Sequence, residues 1–84
     1  MSLEDYEQML KAQHGLCKTC GTDKPGGSKG IYFHVDHCHT TGKVRGLLCS
    51  ACNSALGLVK DNTNVLKNLI EYLNEHKETV TRGN

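Results

Sequence analysis

Tryptophan is absent from this chain of 84 residues, phenylalanine and proline occur once each, and aromatic residues make up only 5%. Hydrophobic residues make up 37% of this 9.2 kDa chain by count, a thin supply for a self-sufficient core. A domain this small buries only about 60% of its unfolded surface and usually needs a staple. No apolar run approaches the roughly 18 residues that a membrane helix requires, and the first residues carry no signal-peptide pattern. These absences predict a soluble, cytoplasmic protein with no membrane partner. Charged residues at 23% and a single proline argue against a wholly disordered chain. The length allows one domain, residues 1–84.

Cysteine is what the chain has in excess. Four of the five cysteines form two close pairs, Cys17/Cys20 and Cys49/Cys52, and Cys38 stands alone. An odd count without an export signal does not suit a disulfide framework, whereas two C-x2-C pairs in a reducing compartment read as a metal site. Tetrahedral zinc takes four soft thiolates, and each C-x2-C turn presents two of them. The 28 residues between the pairs leave space for a whole β-hairpin. His14 is a possible substitute ligand by position alone. Four protein ligands leave no open position on the ion, so this zinc is expected to be structural.

The formal charge of +1 hides a segregation. Residues 11–60 hold seven cations, Lys11, Lys18, Lys24, Lys29, Lys43, Arg45 and Lys60, against Asp23 and Asp36, a net +5. Such a balance permits nucleic-acid binding without demanding it.

Ser2, followed by Glu4 and Asp5, suits a helix start, and Leu3, Tyr6, Met9 and Leu10 recur at helical spacing over residues 3–13, ended by Gly15. Gly21 suits the tight turn after Cys20, and residues 21–30 read as a loop. Residues 31–36 alternate: Ile31, Phe33 and Val35 on one face, Tyr32, His34 and Asp36 on the other. Thr40, Thr41 and Gly42 make a turn, and Lys43–Leu48 return as a second strand. Residues 49–59 suit a helix with Ala51, Ala55, Leu58 and Val59 as its buried stripe. Asn62 caps a last helix at about 63–77, whose face of Val65, Leu66, Leu69, Ile70 and Leu73 is expected to pack on the chain's own domain.

Because the zinc is closed, catalysis has to come from elsewhere. His34, Asp36, His37 and His39 fall within six positions and offer imidazoles and a carboxylate for a hard cation, a general base, or both. The plain alternative is an exposed histidine-rich turn without a role. Asn53 directly follows the last cysteine. A carboxylate and an amide oxygen are hard ligands suited to magnesium.

The string VDHCHTTGKVRGLLCSACN, Val35 to Asn53, closely resembles the phage recombination endonuclease VII family, a branch of the His-Asn-His (ββα-metal) nuclease superfamily. Gln13, Gly15, Cys17, Cys20, Gly21, Leu56 and Gly57 also fit, so the likeness covers about residues 10–60. The resemblance implies a small α+β fold: a ββα-metal nuclease core with a four-cysteine structural zinc, flanked by N- and C-terminal helices. It implies a DNA endonuclease that hydrolyses phosphodiester bonds with Mg2+ or Mn2+. Asp36 and Asn53 match the ligands of the catalytic ion, His37 the general base, and His39 and His34 family histidines near the site that contact phosphate or support the metal. Cys17, Cys20, Cys49 and Cys52 match the zinc ligands. Lys43 and Arg45, on the returning strand, are placed to contact DNA backbone. The family's junction-resolving members are longer and dimerise through extra C-terminal helices, so monomer and homodimer both stay open for a chain with only residues 63–77 available. The competing reading is a non-catalytic zinc-ribbon module that binds nucleic acid, which would not need Asp36, His37 and Asn53 together.

Overall fold

The computed structural model describes residues 1–27 and 32–75. Ile31, residues 28–30 of the expected loop and the last two residues of the expected 63–77 helix lie outside them. The described residues form a small α+β structure of three helices and a two-stranded antiparallel sheet: α1 (Leu3–Ala12), β1 (His34–His37), β2 (Val44–Leu48), α2 (Ser50–Leu58) and α3 (Thr63–Glu75).

Helix α1 begins in a capping box. The Ser2 hydroxyl accepts the Asp5 N–H at 3.1 Å, and the Asp5 carboxylate accepts the Ser2 N–H at 3.4 Å. Such a cap is worth about 1 kcal/mol. The helix ends as His14 and Gly15 both turn to positive φ, 58° and 73°. Its inner side is tied to the sheet through Tyr6, whose hydroxyl donates to the Phe33 carbonyl and accepts the Phe33 N–H.

That tie explains why β1 starts later than the alternation suggests. The backbone groups of Phe33 are spent on Tyr6, so pairing with β2 begins only at His34. The side-chain pattern still follows expectation at Tyr32 and Phe33, which are exposed and buried respectively.

The sheet register contains one irregularity, between Asp36 and His37. Asp36 pairs with Gly46 and His37 with Val44, so Arg45 is the extra residue of a β-bulge. In an unbroken register Arg45 would oppose His37, on the face away from Asp36. The bulge turns it back.

The core is small: Cys17, Phe33, Leu47, Leu48 and Cys49 are buried, with Tyr6, Met9, Leu10, Val35, Cys52 and Leu56 packed around them. Two of the five buried residues are cysteines of the paired motifs, so a metal at those thiols would sit in the hydrophobic core itself. Helix α2 meets the core through Cys52 and Leu56. Of the expected stripe only Val59 is half-buried, while Ala51 and Ala55 are exposed and Leu58 is 83% exposed. Cys49 is the cap of α2, and this fixes the helix rotation with Cys52 inward. Leu56, one turn further along, then falls on the same face.

Helix α3 also departs from expectation. Asn62 caps it as its sequence suggests, its side chain accepting the Val65 N–H at 3.1 Å. Yet among the described residues α3 packs against no other helix or strand. Leu69, Ile70 and Leu73 are exposed, Leu73 by 66%.

Candidate metal centre and candidate active site

The two C-x2-C turns meet at one point. The sulfurs of Cys17, Cys20, Cys49 and Cys52 all lie within 4.8 Å of one another, and those of Cys20 and Cys49 are 3.7 Å apart. Tetrahedral zinc with Zn–S bonds of roughly 2.3 Å sets its sulfurs about 3.8 Å apart. The donor set and its spacing fit zinc. His14, exposed at the end of α1, is not part of the cluster.

Local structure builds this arrangement. Gly21 at φ 77° closes the first knuckle, its N–H donating to the Cys17 carbonyl at 3.1 Å. The second knuckle is the N-terminus of α2, where the Cys49 sulfur accepts the Cys52 N–H. The Cys17 sulfur accepts the Cys49 N–H at 3.3 Å, which links the two halves. Helix N-termini and backbone N–H groups favour thiolate.

Cys17 and Cys52 ionise unequally. At Cys17 burial opposes the charge, but N–H groups of Cys20, Cys49 and Thr19 and the Thr19 hydroxyl outweigh it and bring the thiol down to about 5. At Cys52 the Thr19 hydroxyl favours thiolate, but burial and the neighbouring sulfurs of Cys49, Cys20 and Cys17 push it up to about 12. Cys20 is raised too: a Thr22 N–H favours its thiolate, and burial with Cys49 and Cys17 overrides it. Without a cation the cluster keeps protons that a divalent ion would expel.

The second group of chemical interest lies along β1 and the turn after it. His34 and His37 are exposed on the strand and His39 is exposed in the turn, while Asp36 is buried. Among the described residues the cysteines are the only three or more His, Cys, Asp or Glu side chains whose ligand atoms approach this closely. The histidines and Asp36 therefore do not converge into a cage of their own. Asp36 instead lines a cavity of about 240 Å³ with Lys18, Thr19, Arg45, Gly46, Leu48 and Leu56.

Arg45 dominates the electrostatics there. Its Nε donates to Asp36 Oδ2 at 2.6 Å and its Nη2 to Asp36 Oδ1 at 3.0 Å. The same Nη2 reaches Asp61 Oδ2 at 3.3 Å, and His39 Nδ1 stands 3.7 Å from that oxygen. The hydrogen bonds to Asp36 raise the affinity of Arg45 for its proton above its ordinary value. Lys43 is exposed at the hairpin turn, and Asn53 is half-buried near the start of α2, one residue beyond Cys52.

Asp61 is the residue that sequence reasoning missed. It sits between α2 and α3 with φ 57°, after Lys60 at φ 56°, and its N–H closes α2 on the Leu56 carbonyl at 3.0 Å. A lone aspartate in a polar linker carries no periodic or motif signal, and only the tertiary path brings it to Arg45.

Fold and centre together define a small α+β protein built around a four-cysteine site able to hold zinc. The family pattern described as Recombination endonuclease VII matches residues 1–75. The chain belongs to that family. It is 42% identical over 71 residues to the Gene 59 protein of Mycobacterium phage L5, covering 83% of this chain and 42% of the relative. Against the Gene 59 protein of Mycobacterium phage D29 it is 38% identical over 74 residues, covering 87% of this chain and 43% of the relative. The chain thus spans less than half the length of these curated relatives. Among the described residues no helix is long and apolar enough to cross a membrane.

Proposed function

We propose that this protein is a divalent-metal-dependent DNA endonuclease whose β1–β2–α2 unit is a ββα-metal, His-Asn-His core. The observation that carries the reading is that Asp36 and Asn53 both belong to the unit gathered around the four-cysteine cluster: Asp36 buried on β1, and Asn53 on α2 directly after Cys52. The family match across residues 1–75 supports it.

Cys17, Cys20, Cys49 and Cys52 would hold a structural zinc, which would fix the start of α2 against the hairpin. Asp36 and Asn53 offer hard oxygen donors for Mg2+ or Mn2+. The Arg45 guanidinium already stands against Asp36 as a cation, so the carboxylate is set to hold positive charge. When bound, the ion supplies charge stabilisation at the scissile phosphate and the departing oxygen.

His37 acts as the general base, taking a proton from the attacking water; imidazoles exchange protons near neutral pH. Its exposure on β1 leaves the ring open to solvent and substrate. His34 and His39 flank it and contact phosphate. Lys43, exposed at the hairpin turn, contributes positive charge along the DNA backbone, a contact that positions a duplex without reading its bases, whereas the Arg45 guanidinium is taken up by Asp36 and Asp61.

The test is a supercoiled-plasmid assay of zinc-loaded protein with Mg2+, with Mn2+, with chelator, and for His37→Ala. Nicking or linearisation by the wild type, lost with chelator and in a folded His37→Ala protein, supports the proposal. A zinc-loaded wild type that binds DNA but cleaves neither duplex nor branched substrate with either ion establishes the binding module instead.

A further inference from the structure

Asp36 is 8% exposed, and both its oxygens are engaged by Arg45. A divalent ion at that carboxylate meets a guanidinium already in place. Two cations on one carboxylate repel strongly where little water screens them. A guanidinium simply expelled would lose its charge partner, and that loss would be subtracted from ion affinity.

The structure provides a second partner. Nη2 of Arg45 donates to Asp36 Oδ1 at 3.0 Å and to Asp61 Oδ2 at 3.3 Å, so the guanidinium already straddles two carboxylates. The bulge at Arg45 gives the side chain this position, and the bond from the Asp61 N–H to the Leu56 carbonyl fixes the other end. Nη2 is within hydrogen-bond distance of both carboxylates, and the planar fork of arginine suits Asp61 as well as Asp36.

We infer that Arg45 is the resident counter-cation of the Asp36 carboxylate, and that it moves onto Asp61 when a divalent ion binds Asp36. Asp61 is then a positioning residue: it touches neither ion nor substrate, and it sets ion affinity by receiving the displaced guanidinium. His39, 3.7 Å from the same Asp61 oxygen, gives up that contact as Arg45 arrives. Ion binding and the placement of His39 are thereby coupled. This inference rests on the proposed role of Asp36 as an ion ligand.

The experiment is Mn2+ titration of zinc-loaded protein, with free Mn2+ read by electron paramagnetic resonance, on wild type, Asp36→Asn, Asp61→Asn, Arg45→Gln and the Arg45→Gln/Asp61→Asn double variant. Retained zinc and an unchanged circular dichroism spectrum qualify each protein. Wild type is expected to bind Mn2+ and Asp36→Asn to lose that binding. Asp61→Asn should weaken it about tenfold, the scale of losing an outer partner of a metal ligand. In the Arg45→Gln background the same Asp61→Asn change should have little effect, since no guanidinium remains to be received.

Equal weakening by Asp61→Asn in both backgrounds would show a direct charge effect on the ion and overturn the exchange while leaving Asp36 as ligand. So would an Asp61→Asn protein that binds as tightly as wild type. An independent arm follows the Arg45 Nε–H resonance during Mg2+ addition. It should shift as the 2.6 Å bond to Asp36 is released; a resonance that stays put while Mg2+ binds overturns the exchange. Absence of any Asp36-dependent Mn2+ binding removes the ligand assignment and the exchange together.

Discussion

The side chain of Gln13 pairs with both backbone groups of Leu47, as a neighbouring strand would. Its Oε1 accepts the Leu47 N–H at 2.9 Å, and its Nε2 donates to the Leu47 carbonyl at 3.0 Å and to the Leu16 carbonyl at 2.8 Å. Leu47 is fully buried, and its carbonyl also receives the N–H of Lys18, the residue next to the first zinc-cluster cysteine. One amide therefore joins the end of α1, the first knuckle and β2.

Gln13→Leu is expected to leave the Leu47 N–H without a partner while the carbonyl keeps Lys18. An orphaned buried donor costs about 1–3 kcal/mol. Urea unfolding of the zinc-loaded protein measures it, and a loss below about 0.5 kcal/mol would mean that water replaces the amide.

Zinc loading should release protons, and more tightly so at higher pH. In the metal-free cluster Cys17 titrates at about 5, and so is already ionised at pH 7. Cys52, at about 12, and Cys20, raised above its ordinary 9.0, still hold theirs. Those two protons compete with zinc, so apparent affinity rises with pH through the neutral range and falls on acidification. Calorimetry at pH 7 in buffers of different ionisation enthalpy counts the protons, and proton-free binding would contradict the ordering.

Cys38 should be the thiol that reacts. The Thr41 hydroxyl, with N–H groups of Thr41 and Thr40, lowers it to about 7, whereas the other four are sequestered once zinc is bound. The thiolate is the nucleophile, so alkylation by iodoacetamide is expected to accelerate with a midpoint near pH 7. Thr41→Val should move that midpoint upward. Mass spectrometry of zinc-loaded protein identifies the modified residue.

Helix α3 offers the opposite outcome to a core substitution. Because it rests on no other element among the described residues, Leu69→Gln and Leu73→Gln should change unfolding free energy by less than about 0.5 kcal/mol. Loss of Leu47 packing through Leu47→Ala should instead cost about 2–5 kcal/mol. A large effect at Leu69 would show that the helix contributes to the folded unit.

Much of this was legible in the sequence because it depends on local chemistry. Ser2 and Asn62 cap the helices that follow them, Gly21 and Gly42 adopt the positive φ their turns require, and the strand pair and α2 fall near their expected positions. The C-x2-C spacing announced the four-sulfur cluster because a knuckle is a local turn and sulfur demands are strict. The buried stripe of α2 was misread because hydrophobic periodicity says which residues share a face. It does not say which face a capping cysteine turns inward.

The sequence by itself determined the elements, the family resemblance and the four-cysteine cluster able to hold zinc, since each is set by residues near in the chain or by a fixed donor chemistry. Tertiary structure alone decided what surrounds Asp36. A bulge of one residue in β2 turns Arg45 onto Asp36, and the closing turn of α2 brings Asp61 to the same guanidinium. Register and the path of a linker are set by the packing of distant segments. The charge network that they assemble exists only once the chain has folded.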